Sequence, residues 1–161
     1  MIRRLGLTGC LLALLLAALP AASQPSSRTY AAACRIVIGD IADFSCGDGA
    51  IVPVTVNNRS VPPTKGMECD RPALLSNGAR SDGQCVPNSR ILSLSTKTAE
   101  VAVMCRQKRI RPAGSLTFDE IDVITHNPAT GATCWFQAKG QGDAPIDGAK
   151  VPSPTRDTAP G

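Results

Sequence analysis

The sequence predicts a small all-β domain, a disulfide-stabilised sandwich or barrel-like fold carrying one long loop. Three observations predict it. Of seven cysteines, Cys34, Cys46, Cys69, Cys85, Cys105 and Cys134 lie beyond an N-terminal segment laid out as an export signal. An even set of thiols in a small exported chain reads as a disulfide framework. Short Val- and Ile-rich runs recur between Gly, Asn and Pro, the punctuation of a compact β fold. No stretch sustains a helical period.

The first element is the signal, residues 1–22. Arg3 and Arg4 form a positive start, 11–19 is an apolar Leu/Ala run, and Pro20 with Ala21, Ala22 and Ser23 supplies the small-residue cleavage region. The run falls short of the roughly 20 apolar residues that a membrane span needs, so the mature chain is expected to have no transmembrane segment and to be periplasmic or secreted. Leu7, Thr8, Gly9 and Cys10 imitate a lipidation box, but most of the apolar run follows Cys10 rather than preceding it. Cleavage removes two arginines. Lys plus Arg falls from 17 to 15 against 13 acids, a net charge of +2. With only five aromatic residues and so weak a basic bias, a nucleic-acid partner is not expected.

The mature chain then divides. Residues 23–33 read as a flexible leader, 34–138 as the disulfide-bonded β domain, and 139–161 as a disordered tail, because large apolar residues almost vanish after Phe136. Within the domain, 36–38 and 41–46 read as a first pair of strands. Residues 51–56 follow as an edge strand, since Pro53 donates no ladder bond. Residues 91–95 and 101–105 alternate with the two-residue period of strands. The sharpest local signal is a hairpin over 121–136. Its turn places Pro128 second in a type I turn and Gly131 at the left-handed position that follows. In the simplest register Val123 faces Phe136 and Thr125 faces Cys134, leaving Ile124 and Trp135 together on the opposite face. Pairing each cysteine with its nearest neighbour would join Cys34 with Cys46, Cys69 with Cys85, and Cys105 with Cys134.

Residues 57–88 form a long segment poor in core-forming residues. A loop of that length in a compact domain is either stapled or functional. Bridging Cys69 to Cys85 would pre-organise it for a partner. The candidate partner-binding residues are therefore Arg71, Asn77, Arg80 and Asp82 in the loop, with Arg106, Lys108, Arg109 and Arg111 as a charged accessory. If that surface is not the interface, the exposed hairpin face around Trp135 comes next.

Catalytic signals are thin. His126 is the lone histidine and sits beside a turn, where a solvated role is the simpler reading. There is no Gly-x-Ser-x-Gly elbow and no Cys-x-x-Cys pair. No catalytic residue, cofactor or metal site is expected. The leading reading is a non-enzymatic binding or structural accessory module, with a protein or envelope component as partner. One alternative is a carboxylate-dependent hydrolase using Asp119, Glu120 and Asp122. A second is a calcium-dependent adhesion domain using Asp70, Asn77 and Asp82. Asn58, Arg59 and Ser60 also form a glycosylation triplet, meaningful only in a eukaryotic source.

Overall fold

A computed structural model describes residues 26–70, 81–141 and 143–156. The signal, the lipidation-like box and loop residues Arg71, Asn77 and Arg80 lie outside the described residues.

The described residues begin with helix α1 (Ser27–Ile38), where a flexible leader and a first strand were expected. The side chain of Ser26 accepts from the Thr29 N–H and caps the helix, and Gly39 ends it at φ 79°. Ala31, Cys34 and Ile38 recur on one buried stripe. The β-branched residues Ile36, Val37 and Ile38 favour a strand locally, but burial of that stripe outweighs their modest helix penalty. A short 3-10 turn (Cys46–Asp48) follows. Then come β1 (Ala50–Ile51), β2 (Thr55–Val56), β3 (Arg59–Ser60), β4 (Arg90–Ser95), β5 (Glu100–Arg106), β6 (Thr117–Phe118), β7 (Glu120–His126), β8 (Thr133–Lys139) and β9 (Ile146–Asp147).

Five of these strands form one antiparallel sheet in the order β1-β4-β5-β7-β8. The C-terminal hairpin has the register anticipated from sequence: Val123 opposite Phe136, Ile124 opposite Trp135, Thr125 opposite Cys134. Gly131 takes φ 75° in its turn. The run 51–56 is split, with Pro53 between edge strand β1 and the small β2–β3 hairpin. Asn57 and Asn58, at φ 52° and 59°, make the two-residue turn of that hairpin, which requires positive φ at both positions.

One face of the sheet is dry. Leu92, Val101, Val103, Cys105, Ile121, Val123 and Cys134 pack against Cys34, Ile38, Ile41, Phe44, Cys46, Phe118 and Val151. The covering layer is built by α1, the 3-10 turn and the C-terminal segment. That segment, expected as a disordered tail, is placed through Arg156. β9 pairs with β6, Val151 exchanges two backbone hydrogen bonds with Phe44, and Thr155 Oγ1 accepts from the Ile41 N–H. Distant backbone partners order it, together with the burial of Ile146 and Val151 against the core.

The bridges are Cys34–Cys134, Cys46–Cys105 and Cys69–Cys85. Only the last follows the nearest-neighbour rule. Cys105 and Cys134 both face inward, but β7 lies between their strands and their rows are offset along it. Two strand spacings of about 4.8 Å exceed the roughly 7 Å that a bridge spans between Cα atoms. Each sheet cysteine instead reaches up into the covering layer, Cys134 to α1 and Cys105 to the 3-10 turn.

Candidate binding surface

Among the described residues, no layer covers the outer face of the sheet. Cross-strand register sets its side chains in rows. One row runs Ser93, Ala102, Ile124, Trp135; the next runs Ile91, Met104, Asp122, Gln137; a third runs Arg106, Glu120, Lys139. The first two rows carry an apolar strip ending on Trp135, which is 67% exposed beside Ile124 at 49%. The backbone N–H of Trp135 donates to Tyr30 Oη at 3.0 Å, and the Tyr30 ring meets Phe136 edge-on. Helix α1 thereby fixes the strand that presents the indole. Next to it lies a depression of about 390 Å³ lined by Arg106, Asp122, Ile124, Trp135 and Gln137, with the β7–β8 backbone behind.

The polar side of this face is a charge network. Arg106 Nε lies 3.3 Å from Asp122 Oδ2, and Lys108 Nζ lies 3.5 Å from Glu120 Oε2. Gln137 Nε2 donates to Glu120 Oε1 at 2.5 Å and to Asp122 Oδ1 at 2.8 Å. Arg111 grips Asp119 with two parallel hydrogen bonds of 2.6 and 2.7 Å, while the Lys108 N–H donates to the same carboxylate at 2.6 Å. Burial pushes the Asp119 carboxyl upward, but the Arg111 hydrogen bonds, the Lys108 N–H and the charges of Arg111 and Arg109 outweigh it. The result is a carboxyl below the usual carboxylate value. Arg109 pairs with Asp143 at 2.5 Å, and that hydrogen bond and charge raise its guanidinium further.

The structure thus brings together two groups that are separate in sequence, the basic cluster 106–111 and the acids 119–122. Strand pairing of β5 with β7 sets Arg106 opposite Glu120, and the chain beyond β5 carries Lys108 onto Glu120 and Arg111 onto Asp119. It also brings in the loop. Asp82 N–H donates to the Lys108 carbonyl, Asp82 Oδ2 accepts from the Ile110 N–H at 2.8 Å, and Lys65 approaches at 3.6 Å. Asp70 accepts from Thr55 Oγ1 and from the N–H groups of Asn57 and Asn58. These two loop carboxylates organise backbone. His126 is exposed and meets Thr133 Oγ1 at 3.0 Å.

A second depression of about 390 Å³ lies between α1 and the C-terminal segment. Its two arginines are already paired, Arg35 with Asp40 and Arg156 with Asp43. Among the described residues, no helix is long and apolar enough to cross a membrane.

Gln137 and Met104 carried no sequence signal as site residues, because their role comes from cross-strand neighbours. Trp135 did carry one: an indole placed opposite Ile124 on a strand face that faces away from the core-side cysteine. No protein-family model, curated protein or solved structure matches this chain, so the chemistry of this face stands as the guide to what it does.

Proposed function

We propose that the protein is an exported, periplasmic or secreted, non-enzymatic binding module whose contact surface is the outer sheet face centred on Trp135. The signal layout of residues 1–22 and the three disulfides support export. One observation carries the binding role: the chain's single tryptophan stands mostly exposed at the end of an apolar strip, on a strand locked by a disulfide and by Tyr30. Folding gains little from a large aromatic left in water, whereas Trp is the residue most favoured at binding hot spots.

The described part of the loop meets the cluster 106–111 where the Asp82 N–H donates to the Lys108 carbonyl, and Arg106 carries the cluster to the edge of this surface, as its flank. Arg106, Lys108, Arg109 and Arg111 each face an acid, so the flank acts by shape and fixed hydrogen bonds rather than by net attraction. The hydrolase alternative loses support for the same reason: Asp119, Glu120 and Asp122 are each held by a cation.

The test compares wild type with Trp135→Ala for retention on an immobilised envelope fraction containing both protein and polysaccharide. The variant should keep its melting temperature and lose most of its retention. Equal retention would remove the Trp135 face from consideration and return the contact to the loop.

A further inference from the structure

We infer that the Trp135 depression is a subsite for a neutral glycan chain, with the indole stacking against one sugar ring and Gln137 and Asp122 reading its hydroxyls; this rests on the binding reading above. Three features of the site point to that ligand. The first is the juxtaposition of an exposed aromatic plane with planar polar groups along one wall. Pyranose rings are amphipathic, with an apolar C–H face and a polar rim. They match a site that offers an apolar plane and a few fixed polar groups.

The second feature is pre-organisation. Both N–H donors of the Gln137 amide are committed to Glu120 and Asp122. That orients its carbonyl oxygen away from the two carboxylates as an acceptor for a ligand hydroxyl. Asp122 is held from two sides, by Gln137 and by Arg106. A ligand therefore orders little that is not already ordered.

The third feature is charge complementarity. Arg106 and Lys108 are matched by Asp122 and Glu120. Beyond these pairs, the described rows offer an anionic polymer one exposed cation, Lys139. A protein partner with an apolar surface would strip water from these ion pairs without replacing their hydrogen bonds, which is costly. Hydroxyl groups of a glycan replace that water in kind.

The solitary tryptophan makes the test direct, because its fluorescence reports on the site alone. The mature protein is titrated with cellohexaose and with chitohexaose up to about 1 mM, a range that detects even weak carbohydrate binding. At least one should give a saturable fluorescence change. By calorimetry, Trp135→Ala and Gln137→Leu should each weaken that binding at least about tenfold. Trp135→Ala should keep its melting temperature, and Gln137→Leu, which takes hydrogen bonds from Glu120 and Asp122, should still unfold cooperatively. A heparin hexasaccharide should bind more weakly than the neutral chain. Tighter heparin binding, or neutral-glycan binding that survives Trp135→Ala, would overturn the inference. If neither neutral chain binds while Trp135→Ala still abolishes envelope retention, the glycan inference falls and the binding surface stands. If neither chain binds and retention is unaffected, both fall.

Discussion

Asp119 does more than any other single residue to join the basic cluster to the sheet. It holds Arg111 through both oxygens and accepts from the Lys108 N–H, while its own N–H donates to the Arg106 carbonyl. Its carboxyl is lowered relative to the unfolded chain, so the folded state binds the proton less tightly. The stabilisation is present above the unfolded value of about 3.9 and is lost as pH falls through the folded value. Asp119→Asn should cost about 2 kcal/mol at neutral pH. That deficit should shrink below about pH 4, as read from urea unfolding across pH. A pH-independent deficit would mean that the carboxylate acts by shape alone. None of this geometry was legible beforehand. The sequence offered four cations and three acids in two runs; the folded chain brings Arg106, Lys108 and Arg111 onto those acids, while Arg109 meets Asp143 instead.

Elements differ in how openly the sequence announces them. The β7–β8 hairpin was readable to its register, because turn chemistry and alternation are local signals. Helix α1 was hidden. Its N-cap and alanines sit before a β-branched run, and what decides the outcome is a buried stripe against a sheet that closes much later in the chain. The C-terminal segment was hidden for a related reason. Composition reports side-chain burial, whereas β9 and Val151 are held largely by backbone bonds to β6 and Phe44. Gly148 lies so close to the Phe118 ring that an added Cβ would fall 2.5 Å from it. Removing residues 140–161 should therefore uncover Phe118 and Phe44 and lower the melting temperature by at least about 5 °C, measurable by circular dichroism. An unchanged melting point would mean the covering layer holds without this segment.

At the scale of the whole molecule, three cross-links divide the work unevenly. Cys34–Cys134 spans 100 residues, Cys46–Cys105 spans 59, and Cys69–Cys85 spans 16. Constraint of the unfolded chain grows slowly with the loop closed, so the chain-entropy model assigns about 4.7 kcal/mol to the longest and about 3 kcal/mol to the shortest. Replacing Cys34 and Cys134 together by Ser should destabilise more than replacing Cys69 and Cys85, in guanidinium unfolding. The reverse order would place the stability in the loop rather than in the docking of α1. The candidate surface depends on this hierarchy, since the longest bridge anchors β8 directly beside Trp135. Fold class and the local bridge were accessible from spacing. The other two bridges depend on which strands are neighbours, a property of the folded sheet.

The longest bridge also sets a problem of timing. A polypeptide emerging N-terminus first presents Cys34 and Cys46 long before Cys105 or Cys134 exists to receive them. An oxidant working strictly in order of arrival would join those first two to each other, and both belong elsewhere. Reaching the native connectivity then demands either that oxidation wait for the sheet or that an early bond be exchanged by thiolate attack. Assembly of this domain therefore turns on when its cysteines are oxidised as much as on which of them are joined.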